Sequence, residues 1–378
     1  MALPELKQAH TIIDRSAHIL LMVPERASVD ALAAMMALYL TLQPHKEDGV
    51  EAVSPAHVPP PLQFLPGSSQ IKMQPRQQTD VIMDIAGPTK IEAIRQEVLQ
   101  GGLRLHLTLP TGITITRDQL EMVVRPLPYD VAIILGAADL EALGKTFTDH
   151  TDFFYNTPII NIDHRADNEH YGTVNIVDIT AGSVAEVTYE LITSKFGEEI
   201  SPEVATALYA GIVAGTDSFQ KPSTTPRSFQ IAAKLMEREA DREAVIQHLI
   251  KTKPLYLIKL AGRLYARLRF DEHMQLFWSI LRPVDFQDSG ATMEHVPAAM
   301  RELANNIAGF NAAFILHENS EGFMMYLLLG KGLQQRRQEI QTQLEAKRDN
   351  GLLHVRIHAT SLEDAEQEAL DKVRAILP

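Results

Sequence analysis

Residues 161–175 read NIDHRADNEHYGTVN, in which a short apolar run gives way to a polar loop. The run PIINI at 158–162 predicts a buried β-strand. The polar tripeptide Asp-His-Arg at 163–165 follows this strand directly. Ligands of open α/β sheets bind at the carboxyl ends of the strands, so this tripeptide is a candidate binding or catalytic element.

Helical patterns follow the polar loop. Ser183 and Glu186, in GSVAEVTYELI at 182–192, have the spacing of a capping box and predict the start of a helix. A Ser-Pro pair at 201–202 predicts a second helix, which leads into LYAGIVAGTDSF at 208–219. A strand followed by a polar loop and helices is typical of an α/β domain.

Strands and helices also alternate before this stretch. HILLMV at 18–23 predicts a buried strand, and Ser28 to Leu42 predict a helix. Further strands are predicted for DVIMDI at 80–85, LRLHLTL at 103–109 and DVAIIL at 130–135. A helix is predicted between two of them, from Lys90 to Leu99. This alternation predicts an α/β fold with a parallel sheet and helices on both faces.

A smaller α/β segment follows the first one. Its predicted strands lie near MQLFWSIL and FMMYLLLG, and SLEDAEQEALDKVRAIL predicts a closing helix. We therefore expect a first domain at 1–251, a helical connector at 252–268 and a second α/β domain at 269–378.

Composition limits the possible partners and metal sites. The net charge of −13 disfavours broad attraction to long nucleic acid, although a local basic pocket for a short one stays possible. The chain has no cysteine, so a metal would need His and carboxylate ligands. No apolar run reaches the roughly 20 residues of a membrane span, and the chain start lacks the pattern of a signal peptide. We expect a cytoplasmic protein without membrane contact.

The chain resembles the DHH phosphoesterases, most closely the bacterial branch that degrades very short RNAs and 3′-phosphoadenosine phosphates. The resemblance rests on the stretches at 161–175, 182–192 and 208–219 and on their order. It implies a DHH domain joined to a DHH-associated C-terminal domain, with an insertion at about 80–128 in this chain. It also implies two divalent metals, usually manganese, with a bridging water that attacks phosphorus.

Most positions that hold the metals in this family carry other residues here. The resemblance places the six usual ligands at Pro24, Ser28, Asp30, Gly136, His164 and Gly215. Only Asp30 and His164 among them can coordinate a metal ion. The candidate ligands of a reduced Mn²⁺ site are therefore Asp30, Asp163, His164 and Asp217. Asp30 also fits a structural role in the first turn of a helix, and Asp217 fits a loop cap.

The candidate catalytic residues implied by the resemblance are Asp163, His164 and Arg165. In the family, the first His usually binds metal and the second faces the phosphate; here Arg165 takes the second place. A guanidinium can bind phosphate through its fork, but it stays protonated at neutral pH and cannot exchange a proton. The alternative is a structural ion pair between Asp163 and Arg165.

Candidate substrate-binding residues come from both domains. They are Arg165, Asn168, Ser183, Lys331, Gly351 and His354. Ser183 is also explained as a helix cap, and Gly351 and His354 keep only the ends of the family's Gly-Gly-Gly-His turn.

Three hypotheses follow. The leading one is a catalytically impaired DHH protein that binds a nucleotide, a short RNA or a protein partner. The second is an active, Mn²⁺-dependent phosphodiesterase or phosphatase with a reduced metal site, acting on short oligoribonucleotides or phosphoadenosine phosphates. The third is an interaction scaffold without a nucleotide ligand, such as a homodimer.

Overall fold

The computed structural model describes residues 3–46, 49–77, 79–87, 90–125, 127–198, 200–307, 309–319, 322–349 and 352–377. The chain divides into two compact units, Met1–Thr252 and Lys253–Pro378. Within the described ranges, no helix is both long enough and apolar enough to cross a membrane.

The first unit is built on a parallel sheet. Its strands are β1 (Ile19–Met22), β2 (Val50–Val53), β3 (Asp80–Ile85), β4 (Ala93–Leu99), β5 (Gly102–Thr108), β6 (Leu120–Arg125), β7 (Val131–Leu135), β8 (Ile159–Asp163) and β9 (Val174–Val177). The parallel sheet has the strand order β2-β1-β7-β8-β9 in the described part of the chain. The strands β1, β7 and β8 are buried throughout, as the apolar runs at 18–23, 130–135 and 158–162 predict. Strand β2 is also buried throughout and was not predicted.

Helices cover both faces of this sheet. They are α1 (Leu3–Arg15), α2 (Val29–Leu42), α3 (Lys145–Asp149), α4 (Thr151–Asn156), α5 (Val184–Phe196), α6 (Pro202–Gly215), α7 (Pro226–Glu237) and α8 (Arg242–Ile246). Ile19 and Leu21 of β1 point into a core shared with α1, α2, α5 and α6. The alternate residues Leu20 and Met22 pack with aromatic side chains of α3 and α4. The predicted fold class is confirmed.

The segment between β2 and β7 departs from the prediction. The helix predicted at Lys90 to Leu99 is wrong, because residues 93–99 form strand β4. Ile94 and Val98 are four residues apart, a spacing that fits one face of a helix and one face of a strand equally. Pairing of β4 with β5 decides for the strand. The predicted strands at 80–85 and 103–109 exist, but they form separate two-stranded antiparallel ribbons, β3-β6 and β4-β5, and do not join the parallel sheet.

The second unit is a mixed sheet with helices. Its elements are α9 (Leu255–Ala266), β10 (Arg269–Asp271), β11 (Leu276–Leu281), α10 (Pro283–Ser289), α11 (Val296–Asn305), β12 (Ala312–Asn319), β13 (Gly322–Leu329), α12 (Arg337–Gln343), β14 (Lys347–Asp349), β15 (Leu352–Ile357) and α13 (Leu362–Arg374). The strand order is β10-β11-β12-β13-β15-β14; β11 pairs parallel with β12, and the other neighbouring strands pair antiparallel. Leu260 and Leu264 of α9, which lies in the predicted connector, are buried in one of its two cores.

Candidate functional site

A cleft of about 510 Å³ opens at the carboxyl ends of β1, β7 and β8. Its lining residues are Pro24, Glu25, Arg26, Ser28, Gly136, Ala138, Asp139, Glu141, Ala142, Asp163, His164, Arg165 and Val184. The three loops that follow these strands therefore meet here, where ligands bind in open α/β sheets. The predicted catalytic tripeptide lines this cleft.

Asp163 is fully buried at the end of β8 and is held by several donors. Its Oδ1 accepts the backbone N–H of His164 at 2.7 Å. Its Oδ2 accepts Nη2 of Arg165 and Nδ2 of Asn168, both at 2.9 Å. Burial opposes the negative charge, but these bonds outweigh it and hold the pKa of Asp163 well below its usual range.

Most of the Arg165 guanidinium forms hydrogen bonds within the protein. Nε and Nη2 both bond the Asp163 carboxylate, and Nη2 also donates to the carbonyl oxygen of Gly136 at 3.0 Å. This is the structural ion pair between Asp163 and Arg165 that the sequence analysis gave as the alternative to a catalytic role. The side chain is still 40% exposed. Nη1 makes no hydrogen bond with the described residues, so one edge of the guanidinium faces the cleft.

Asp30 lies in the first turn of α2 but points at a different helix. Its Oδ2 accepts the backbone N–H of Val184 at 2.7 Å, and its Oδ1 accepts that of Ala185 at 3.0 Å. These two N–H groups belong to the first turn of α5, which has no helical partner for them. Burial raises the pKa of Asp30 to about 6, against the lowering effect of these bonds. The Asp30 side chain therefore acts as a cap for α5.

Two of the implied ligand positions have no room for a side chain. Gly136 has a φ of +70°, and a Cβ there would lie 2.8 Å from the Cβ of Ala31 in α2. At Gly215, a Cβ would lie 2.5 Å from the Cβ of Ser183 and 3.0 Å from Asp30 Oδ2. Real Cβ atoms essentially never lie that close. An aspartate at either position would therefore clash with neighbouring side chains.

Two predicted substrate-binding residues are buried and serve the fold. Asn168 donates to Asp163 and to the carbonyl oxygen of Ala137, both at 2.9 Å, and is not a cleft residue. Ser183 is fully buried and caps α5 by accepting the N–H of Glu186 at 3.2 Å. Both side chains hold the tripeptide loop and α5 in place.

The predicted Mn²⁺ ligands do not converge. Asp217 is exposed after the end of α6 and does not line the cleft. His164 lines the cleft, and its Nδ1 lies 3.6 Å from Asp163 Oδ1 without a hydrogen bond. In the part of the chain that the structure describes, no three His, Asp or Glu side chains are grouped to hold a metal ion. This donor set does not fit the two-metal centre that the resemblance implies.

The second unit holds the remaining predicted residues. Lys331 is exposed just after β13. His354 lies on β15 with its ring against Tyr326 at a centroid distance of 4.4 Å. Gly351 lies outside the described residues.

Four charged residues line the cleft without having been predicted as site residues: Glu25, Arg26, Asp139 and Glu141. All four follow β1 or β7, so their position after a predicted strand was an available signal. Asp139 caps its own turn by accepting the N–H of Ala142 at 2.7 Å. Asp163 and Arg165 are paired with each other. The other charged lining residues are the three acids Glu25, Asp139 and Glu141 and one base, Arg26, and His164 also lines the cleft.

The family is decided by its sequence profile. The profile of the DHH family, N-terminal domain, matches residues 18–212, more than half of the chain. This chain belongs to the DHH family. Similar DHH relatives include the probable bifunctional oligoribonuclease and PAP phosphatase NrnA of Streptococcus mutans, 31% identical over 115 residues. The bifunctional oligoribonuclease and PAP phosphatase NrnA of Bacillus subtilis is 27% identical over 166 residues.

These alignments are partial. They cover 30% and 43% of this DHH chain, and 36% and 52% of the Streptococcus and Bacillus proteins, so the chain spans about half or less of each relative. A solved structure of an exopolyphosphatase-related protein from Bacteroides fragilis is similar over 99% of this chain and 96% of its own, with a TM-score of 0.71. At 15% identity, that likeness establishes the fold alone.

Proposed function

We propose that this protein is a DHH-family member that does not hydrolyse phosphoesters and acts as a protein-binding module. The observation that carries the proposal is the role of Asp30, whose two carboxylate oxygens are both taken by backbone N–H groups of α5. Of the two coordinating side chains left at the implied ligand positions, only His164 still faces the cleft.

Hydrolysis of a phosphodiester by two metals needs several carboxylates, which offset the charge of the cations and position the attacking water. Asp163 and His164 line the cleft, and the Asp163 carboxylate already accepts hydrogen bonds from Arg165 and Asn168. Arg165 stands where the family has its second histidine and cannot move a proton at neutral pH. No hydrolytic step can therefore be derived from these side chains.

The charge of the cleft also disfavours a phosphate ligand. Three carboxylates line the cleft: Glu25, Asp139 and Glu141. Arg165 is paired with Asp163, so among the described lining residues Arg26 is the remaining arginine or lysine, and His164 lies beside it in the lining. Without metal ions, like charges would repel a nucleotide phosphate. This charge pattern supports a protein partner over a nucleotide as the ligand.

Nucleotide binding is the second candidate function. Arg26, His164 and the free edge of Arg165 all line the same cleft. Nδ1 of His164 is buried and has no hydrogen-bond partner among the described residues. Calorimetric titration with a dinucleotide, in the absence of metal, separates the two candidates: saturable binding that is lost in Arg165→Ala favours the nucleotide.

The proposal is tested by a hydrolysis assay on the purified chain, with Mn²⁺ and either a dinucleotide or 3′-phosphoadenosine 5′-phosphate as substrate. We expect the wild-type rate to equal that of a His164→Ala variant, because the histidine has no metal centre to complete. His57→Ala, whose side chain is exposed and outside the cleft lining, is the matched control. Turnover that persists in the control and disappears in His164→Ala would overturn the proposal.

A further inference from the structure

The two ribbons β3-β6 and β4-β5 form one excursion of the chain, residues 80–125, which we call the arm. One backbone bond extends each ribbon: Ala86 N–H donates to Gln119 O at 2.8 Å beside β3-β6, and Glu92 N–H donates to Thr108 O at 2.8 Å beside β4-β5. All seven residues of β4 are exposed. A two-stranded ribbon is marginally stable in water when no other surface covers it.

Each ribbon has one apolar face. The register of β4 and β5 puts Ile94 opposite Leu107 and Val98 opposite Leu103, and the opposite face carries the Glu97–Arg104 ion pair. In β3 and β6 the same alternation gives a face made of Val81, Met83, Ile85, Leu120, Met122 and Val124. The arm is therefore amphipathic along both ribbons.

These apolar faces are open to solvent. Val98 is 83% exposed, Ile94 is 66% exposed and Met122 is 62% exposed. Isolated exposed apolar residues are normal, but several exposed apolar residues on one face of a ribbon mark an interaction surface. Alternation of apolar and charged residues on such a ribbon is the pattern of a sheet with one buried face.

We propose that the apolar faces of the arm bind the same faces of a second copy of this chain, related by a two-fold axis. This inference rests on the proposed protein-binding function and names its partner. Charge supports a like partner. The arm has six acidic residues, Asp80, Asp84, Glu92, Glu97, Asp118 and Glu121, and five basic residues, Lys90, Arg95, Arg104, Arg117 and Arg125.

The arm thus has a formal charge of −1, although the whole chain has −13. Two arms can meet without the repulsion that the rest of this acidic chain would impose. A nucleic acid or an anionic membrane would instead select a basic face. An isologous interface brings the same patch of two copies together, and an apolar patch on a near-neutral arm suits that arrangement.

The size of the face sets the expected strength. Strands rise about 3.3 Å per residue and lie about 4.8 Å apart, so the apolar faces of the two ribbons together cover roughly 400 Å² per chain. Because side chains project from these faces, a pair of arms would bury on the order of 1,000 Å², the lower limit for a specific interface. We therefore expect a dimer that dissociates on dilution.

The first experiment is sedimentation equilibrium of the full chain over a range of concentrations. We expect the wild type to approach twice its 42.1 kDa monomer mass at about 100 µM and to dissociate at least partly on dilution. The variant Ile94→Glu/Leu103→Glu should be a monomer throughout, because both carboxylates would lie in the interface. Leu99→Glu/Thr108→Glu puts the same charges on the opposite face of the same ribbon and should stay a dimer.

A wild type that is monomeric at every concentration would overturn the inference, and so would a dimer that the Ile94→Glu/Leu103→Glu variant retains.

Cross-linking is a second experiment, for the case in which the Ile94→Glu/Leu103→Glu variant misfolds. Since the chain has no cysteine, Val98→Cys reports only contacts between copies, with a short bismaleimide as reagent. Covalent dimers should form with Val98→Cys and not with Thr108→Cys, on the opposite face; equal yields would contradict the proposed face.

This outcome is separable from that of the hydrolysis assay. A monomer without phosphoesterase activity would remove the homodimer and leave the non-hydrolytic proposal standing. A dimer with His164-dependent turnover would overturn the non-hydrolytic proposal and leave the homodimer standing.

Discussion

The substitution Gly215→Asp, which puts a carboxylate back at an implied ligand position, is expected to destabilise the protein by about 3 kcal/mol and not to restore a metal site. The new Cβ would lie 2.5 Å from Ser183 Cβ, so α5 and α6 would have to move apart. The new carboxylate would also lie beside the buried carboxylate of Asp30, whose Oδ2 would be 3.0 Å from that Cβ. Urea denaturation at pH 7, followed by far-UV circular dichroism, measures the change.

A matched control is Gly262→Asp, in the middle of α9, where an added Cβ would have no neighbour within 4 Å. Glycine and aspartate differ little in helix propensity, so this variant should stay within about 0.5 kcal/mol of the wild type. Equal stability of Gly215→Asp and Gly262→Asp would show that the space beside Asp30 is open. In that case an aspartate at position 215 would fit, and the metal site would not be closed.

The second large effect is a pH dependence that comes from Asp30. Burial raises the pKa of Asp30 to about 6, whereas its unfolded value is 3.8. Between these two values the folded state keeps a proton that the unfolded state has lost. The contribution of Asp30 to stability is therefore full below about pH 4 and falls as the pH rises to about 6, by about 3 kcal/mol.

Comparison with Asp30→Asn isolates this effect, because asparagine does not titrate. The difference in unfolding free energy, wild type minus variant, should fall between pH 4 and pH 6 and stay constant from pH 7 to pH 8. A flat difference across this range would contradict the raised pKa of the buried Asp30 carboxyl. A difference that rises with pH would mean that cationic partners surround Asp30, as they would in a metal centre.

The main sheet could be predicted from the sequence because its strands are buried on both faces. Such strands appear as continuous apolar runs, and residues 130–135 and 158–162 became β7 and β8 with nearly the predicted limits. The arm could not be predicted in the same way. Ile94 and Val98 fit a helix as well as a strand, and only pairing with β5 separates the two.

The candidate site was predicted in part. The tripeptide at 163–165 was placed at a strand end, and the structure brings it into a cleft with the loops after β1 and β7. The partners of Asp30 could not be predicted, because Val184 and Ala185 lie 154 and 155 residues away in the chain. Local sequence showed only a carboxylate in the first turn of α2, and that position alone does not reveal which helix it caps.

We propose that this DHH protein has no functional metal centre, and titration of the purified chain with Mn²⁺, followed by isothermal calorimetry and electron paramagnetic resonance, tests this. We expect no stoichiometric binding with a Kd below about 100 µM, because no three donors converge in the described part of the chain. Binding of one or two Mn²⁺ per chain, lost in both His164→Ala and Asp30→Asn, would contradict this account.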